Sequence, residues 1–285
     1  MCLDFYNVCR PPAAIGAFLS NGICLQQINS TTERSIILGV LAGVYIAFGA
    51  CLSTLIGHDT AKYLGFGLAR FVTGATFSFG LMLVIVAGAD LFTGSSLMLM
   101  TFLDKKASFK KVALKWCLLF ITNFIGAVLL AYLYYKTNLW KMGDMAVGLS
   151  AIKIANTKVG LTFIEAFTRG ILCNWLVCLA IWMAAASKDI SGKILVIFFP
   201  IMAFVAIGFE HSIANMYFIP IGLFLKSTGI FIDPALNLSG LTWGAFFVKN
   251  LFPVAIGNII GGAIFVGLLY WRVFAKVVNL PPTQK

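Results

Sequence analysis

Hydrophobic positions in this chain run on without the three-to-four-residue period of an amphipathic helix or the alternation of a half-buried strand. The runs fall near residues 33–56, 66–102, 112–135, 160–186, 193–225 and 247–274. A hydrocarbon core about 30 Å thick needs about 20 apolar residues per helix, so the pattern predicts an all-α polytopic membrane protein with six spans. Two runs are too long for one straight crossing. Gly67 to Phe102 would reach ~54 Å at ~1.5 Å per residue, and a break is predicted at Gly88-Ala-Asp-Leu-Phe-Thr-Gly94, where two helix-disfavouring glycines bracket Asp90. The fifth run sets Gly208, Glu210 and His211 between Pro200 and Pro220, and a second break is predicted there.

The two breaks align with each other. Gly88-Ala89-Asp90 superposes on Gly208-Phe209-Glu210, and Leu91 then falls opposite His211. Asn123-Phe-Ile-Gly-Ala127 in the third run matches Asn258-Ile-Ile-Gly-Gly262 in the sixth, and Gly39-Val-Leu-Ala-Gly43 in the first matches Gly170-Ile-Leu-Cys-Asn174 in the fourth. Three spans per repeat place the second copy upside down relative to the first, and in such inverted repeats the corresponding interrupted helices point to the substrate site. The predicted layout is an N-terminal interfacial tail over 1–30, a pore domain over 31–275 with repeats of about 31–137 and 158–275, and a C-terminal tail over 276–285. Pro11 to Gln27 is predicted as a short interfacial helix without chemistry of its own, and Thr31 or Thr32 as the cap of the first span.

Composition agrees: 60% of residues are hydrophobic and 11% charged, with a mean hydropathy of +0.96. The net charge of +11 is spread over short loops without a nucleic-acid-binding motif, so no nucleic-acid partner is expected. Arg10, Arg34, the lysine run Lys105 to Lys115, Lys188 and Lys193 gather on the side of the termini, which by the positive-inside rule is cytoplasmic. Residues 1–30 lack the layout of a cleavable signal peptide. The seven cysteines show no metal-ligand spacing, and neither a metal site, a cofactor nor a disulfide framework is expected.

Ionisable groups at membrane depth are costly and mark functional sites by default. Asp90 and Glu210 are read as carboxylates capping the breaks, because an exposed carboxylate would repel the anion that half-helix N-termini attract. His211 is the candidate proton handler, since imidazole changes charge near neutral pH, with a reference pKa of about 6.5. Passing a bare anion through an apolar pore is costly, and protonating a weak-acid anion removes most of that barrier. Phe77, Leu81, Phe204, Leu91 and Phe92 are candidates for the dry constrictions that make the proton necessary. Glu165 and Arg169, at i and i+4, are expected to pair, leaving Lys158 free to draw anions into an outer vestibule. Asn174 offers amide donors within the fourth span.

Gly-Ala-Asp-Leu-Phe-Thr-Gly (88–94), Thr-Phe-Ile-Glu-Ala (162–166), Gly-Phe-Glu-His-Ser-Ile-Ala-Asn-Met (208–216) and Ile-Gly-Asn-Ile-Ile-Gly-Gly (256–262) closely resemble the formate/nitrite transporter family over nearly the whole chain. The resemblance implies an aquaporin-like protomer, each with its own pore, assembled as a homopentamer in the cell membrane. It implies a cytoplasmic constriction of Phe77, Leu81 and Phe204 and an outer one of Leu91 and Phe92. Thr93 and His211 would face a central vestibule with Asn174 and Asn258 nearby, Glu210 would tune the histidine, and Lys158 would be the outer anion-attracting lysine. Gly88, Asp90, Gly94 and Gly208 would shape the breaks. Substrates of the family are small monovalent weak-acid anions, and the expectation here is formate, with nitrite and hydrosulfide as alternatives. The N-terminal stretch Met1 to Arg10 departs from the family pattern. A neutral-solute pore is the distant alternative, because Asp233-Pro-Ala235 resembles half of the aquaporin signature, and the scarcity of histidine and of paired metal ligands argues against an enzyme.

Overall fold

The computed structural model describes residues 10–231 and 236–278, with side chains through residue 274. The expectations for Met1 to Cys9, for Asp233-Pro-Ala235 and for the end of the C-terminal tail lie outside the described residues. Before the first span, α1 (Pro12–Phe18) and α2 (Leu25–Asn29) are joined by a π turn, Leu19–Cys24. Thr31 then accepts from the Arg34 N–H and caps α3 (Thr32–Ala87).

A helix of 56 residues cannot be a single crossing, and α3 is not straight: Gly65, at φ 73°, is non-helical. Its two arms fold back on each other, backbone to backbone. A Cβ at Gly49 would stand 2.7 Å from the Phe77 carbonyl oxygen, and one at Gly80 would stand 3.1 Å from that of Tyr45. Beyond Ala87 the chain is irregular to Thr93 and resumes as a 3-10 turn, Gly94–Met98, and α4 (Leu99–Leu103).

There follow α5 (Phe109–Thr137), α6 (Ala146–Val159) and α7 (Phe163–Ala186). The 14-residue α6 was not expected from the apolar runs, because it is too short to cross and only one face is buried, through Val147, Ala151, Ile152, Ala155 and Val159. The long fifth run is split into α8 (Ile190–Ile207) and α9 (Ser212–Lys226). The break falls at Gly208, and Pro200 and Pro220 both stay inside helices. The last helical run, α10 (Trp243–Phe274), contains two π turns, Phe246–Leu251 and Ala263–Leu268.

Five of these helices are long and apolar enough to span a membrane, with α3 counted once. The chain is therefore a multi-pass, all-α membrane protein. Packing pairs α5 with the first arm of α3, and α10 with α7. The close approaches in both pairs depend on a glycine: a Cβ at Gly126 would meet the Val40 carbonyl oxygen at 2.0 Å, and one at Gly261 would meet that of Ile171 at 2.1 Å. In lipid, where apolar burial does not drive helices together, such small-residue contacts supply the packing.

Candidate functional site

The site is built on the two helix breaks. The second arm of α3 ends on Gly88 (φ 82°) and α8 ends on Gly208 (φ 99°), left-handed conformations that glycine adopts without a Cβ penalty. The N–H groups of Gly88 and Ala89 both return to the Val84 carbonyl, as those of Gly208 and Phe209 return to Phe204. One residue on, Asp90 N–H donates to Leu38 O at 3.2 Å and Glu210 N–H to Arg169 O at 3.3 Å.

An asparagine then clamps each break. Asn123 Oδ1 accepts from Phe92 N–H (2.8 Å), and its Nδ2 donates to Asp90 O (3.0 Å) and Gly39 O (2.7 Å). Asn258 Oδ1 accepts from Ser212 N–H (2.9 Å), and its Nδ2 donates to Glu210 O (3.0 Å) and Gly170 O (2.8 Å). Both side chains are fully buried. Irregular backbone at membrane depth must have its polar groups satisfied, and these two residues do this for both breaks.

The carboxylates were expected to cap the breaks; among the described residues their oxygens accept from side chains instead. Asp90 Oδ1 accepts from Gln27 Nε2 at 2.8 Å, which gives the N-terminal segment a contact with the first break that the sequence reading denied it. Glu210 Oε1 pairs with Lys158 Nζ at 2.8 Å. Its Oε2 accepts from Asn215 Nδ2 (2.6 Å) and Asn250 Nδ2 (3.3 Å). Lys158, expected to be free, is thus held by Glu210 and also lies 5.3 Å from the Phe218 ring centroid. Glu165 and Arg169 do pair, at 3.8 Å, while Glu165 completes a capping box with Thr162. Sequence reasoning missed Asn123, Asn215, Asn250 and Gln27 as contributors. The signal for the asparagines was present, since each is an amide within or beside an apolar run.

The cap of α9 is His211 itself, whose Nδ1 accepts from Ala214 N–H at 3.1 Å. A nitrogen that accepts carries no proton, so the neutral ring has its hydrogen on Nε2. Nε2 lies 3.0 Å from Thr93 Oγ1 and donates to it, tying the second break to the first. The Thr93 hydroxyl keeps its own proton for another acceptor. Asn174 Nδ2 has two hydrogens to share among Thr93 O (3.0 Å), Ser96 Oγ (3.2 Å) and Asn258 O (2.6 Å). Thr93, His211, Asn174, Asn258 and Glu210 are therefore one buried network.

A cavity of about 380 Å³ lies against the second break, lined among others by Lys158, Phe77, Phe204, Gly208, Glu210 and His211. Another of about 370 Å³ lies against the first, lined among others by Arg34, Val84, Gly88, Asp90, Lys188 and Lys193. Phe77 meets Phe204 edge-on at 5.7 Å, and Phe204 stacks at 5.9 Å on the His211 ring. The resemblance put Phe77 and Phe204 at the end opposite Lys158; the structure puts them in its own cavity. The reason is the direction of the second arm of α3, which passes from Arg70 and Thr73 at the Lys158 cavity to Val84 and Ile85 at the other. Leu81, Leu91, Phe92, Thr93 and Gly94 line neither cavity, and the first four are buried. The first arm of α3 starts at the Arg34 cavity and passes Ser53 and Thr54 at the Lys158 cavity, whereas α7 presents Arg169, in its second turn, to the Lys158 cavity and ends with Ala184 and Ala185 at the other.

The family described as Formate/nitrite transporter matches residues 21–272. A protein named "Probable formate transporter" from Methanothermobacter thermautotrophicus is 46% identical over 259 residues, covering 85% of this chain and 89% of that protein. The formate channel FocA of Escherichia coli (strain K12) is 37% identical over 252 residues, covering 85% of this chain and 87% of that one. A solved structure described as a pentameric formate channel with formate bound superposes with a TM-score of 0.78 at 33% identity, over 86% of this chain and 98% of that one.

Proposed function

The chain belongs to the formate/nitrite transporter family, and from that premise we propose that it conducts formate across the cell membrane, with His211 as proton relay. The observation that carries the reading is the His211 Nε2 to Thr93 Oγ1 bond of 3.0 Å, made at the wall of the Lys158 cavity with Nδ1 engaged by Ala214 N–H. Formate entering from that cavity meets His211 at its wall, with the Thr93 hydroxyl bonded behind Nε2 as the second donor. In acid, a proton from cavity water displaces Ala214 N–H from Nδ1. The imidazolium then gives its Nε2 proton to the formate oxygen, and neutral formic acid passes the apolar constriction. Releasing the cap costs about 0.5–2 kcal/mol, which keeps the ring neutral until an anion rewards the change.

Phe77 and Phe204 form the constriction on the Lys158 side, and Leu81, Leu91 and Phe92 the one toward the Arg34 cavity. Support comes from the chain positions: Leu81 follows Phe77 by one turn toward Val84, and Leu91 and Phe92 follow Asp90, both of which line the Arg34 cavity. Gly88, Asp90, Gly94 and Gly208 shape the breaks, and Asn174 and Asn258 hold the vestibule. Six crossings follow if each arm of α3 spans, in two inverted repeats of about 31–137 and 158–275; the opposite directions of α3 and α7 between the cavities support the inversion. The Arg34 side, with both termini, is cytoplasmic by its basic residues. A homopentamer accords with the pentameric relative and with the exposed apolar residues of the long helices.

Nitrite and hydrosulfide remain the rival cargoes, since both are small, monovalent and protonatable. Liposome uptake across about pH 5–8 tests the relay. His211→Phe should abolish the acid-stimulated component of formate uptake and leave an ion-like component at neutral pH. Uptake identical to wild type throughout that range would remove His211 from the mechanism.

A further inference from the structure

Among the described residues, four cations line the Lys158 cavity: Arg70, Lys153, Lys158 and Arg169. Two are answered, Lys158 by Glu210 and Arg169 by Glu165. Among the described residues, neither Arg70 nor Lys153 forms a salt bridge. Lys153 is exposed on α6. Arg70 is half-buried on the second arm of α3, where Nε donates to Ala206 O at 2.8 Å and Nη2 to Val205 O at 2.7 Å.

Those carbonyls belong to the last turn of α8, which ends at the cavity. A helix C-terminus carries partial negative charge, which opposes an arriving anion. Arg70 offsets that charge directly. A guanidinium has five N–H donors, and the two bonds to α8 leave three without a partner among the described residues. Lysine 158, by contrast, has its charge matched by a carboxylate at 2.8 Å, so its pull on a distant anion is small.

We propose that Arg70 and Lys153 form an anion-recruiting site at the mouth of this cavity, which takes a small monovalent anion with two coplanar oxygens before it reaches Phe77, Phe204 and His211. The proposal rests on the conduction reading above and specifies which groups select its cargo. The ligand class follows from the fork of Arg70, whose paired N–H groups match the two oxygens of formate or nitrite and find only one acceptor atom on hydrosulfide. Lys153 adds an unshaped positive charge that steers and is screened by salt.

The test is concentration-dependent uptake into liposomes at low and high ionic strength, with formate and hydrosulfide as probes. Lys153→Gln should raise the half-saturating formate concentration about three- to tenfold at low salt, move the saturating rate far less, and lose its effect near 0.5 M salt, where the screening length is only about 4 Å. Arg70→Gln should do the same for formate with a larger shift. Arg70→Lys, which keeps the charge and loses the fork, should weaken formate while leaving hydrosulfide near wild type. If Lys153→Gln and Arg70→Gln leave half-saturation unchanged at low salt, the site does not exist. If both Arg70 variants lower only the saturating rate, Arg70 serves α8 alone and the proposal is overturned. Wild-type protein that carries none of these anions overturns the conduction reading and this inference with it, whereas wild-type flux with variants that match wild-type half-saturation at low salt overturns the inference alone.

Discussion

The two helix breaks share a backbone and differ in what hangs on it. Each ends a helix on a left-handed glycine, returns two N–H groups to one carbonyl, and is clamped by an asparagine through three bonds. On that common frame the first break carries Asp90 bonded to Gln27, then Leu91. The second carries Glu210 in a network with Lys158, Asn215 and Asn250, then His211. The scaffold is paired and the side chains on it are not: only the second break carries an imidazole.

The largest expected effects fall on the shared frame. Asn123→Leu and Asn258→Leu each leave one N–H and one carbonyl of a break without the asparagine's bond at membrane depth, and remove a second bond from a helical carbonyl. At about 1–3 kcal/mol for each unsatisfied buried group, either should cost about 2–6 kcal/mol. Thermal unfolding in detergent should show two large losses of similar size. A destabilised Asn258 variant beside an Asn123 variant of wild-type stability would mean that the two halves are not equivalent frames.

That frame was legible in the sequence, because Asn123 with Gly126 and Asn258 with Gly261 sit at the same spacing and each break contains a glycine two residues before its acid. Its function was not. The acids looked like caps because a carboxylate beside a glycine break is a local pattern, whereas the true partners are separated by 31 and 46 residues. The pairing of Lys158 with Glu210 spans 52 residues and required α6, a helix too short and too one-sided for an apolar-run reading. Nor does spacing alone say which end of a helix faces which mouth. Phe77 and Phe204 line the Lys158 cavity because the fold-back at Gly65 sets the direction of the second arm.

A smaller effect separates the two acids. In Glu210→Gln an amide faces Lys158 Nζ, and the cation loses its counter-charge. Breaking a fully buried pair costs about 3–5 kcal/mol; because Lys158 lines a cavity and keeps 15% of its side chain exposed, about 2–3 kcal/mol is expected. Asp90→Asn keeps an oxygen for Gln27 and should cost under about 1 kcal/mol. Adding Lys158→Met to Glu210→Gln should restore part of the lost stability, since the stranded charge is gone. Equal losses for the two single variants, measured by the same unfolding assay, would erase the distinction drawn between the acids.

The smallest effect tests whether the breaks work together. Thr93 belongs to the first break and accepts from His211 Nε2 of the second. Thr93→Val keeps the shape of the side chain but removes that acceptor, leaving a buried N–H without a partner and the anion without the hydroxyl donor. A stability loss of about 1–2 kcal/mol is expected. The formate uptake rate should fall about five- to tenfold, as about 1–1.4 kcal/mol of lost stabilisation implies. Thr93→Ser retains the oxygen and its proton, so it should stay within about twofold of wild type, a difference of under about 0.5 kcal/mol. Because Val and Ser both lack part of threonine, only the hydroxyl separates their outcomes. If valine conducts as well as serine, the 3.0 Å contact between the breaks is packing, and His211 acts on the anion without help from the other half.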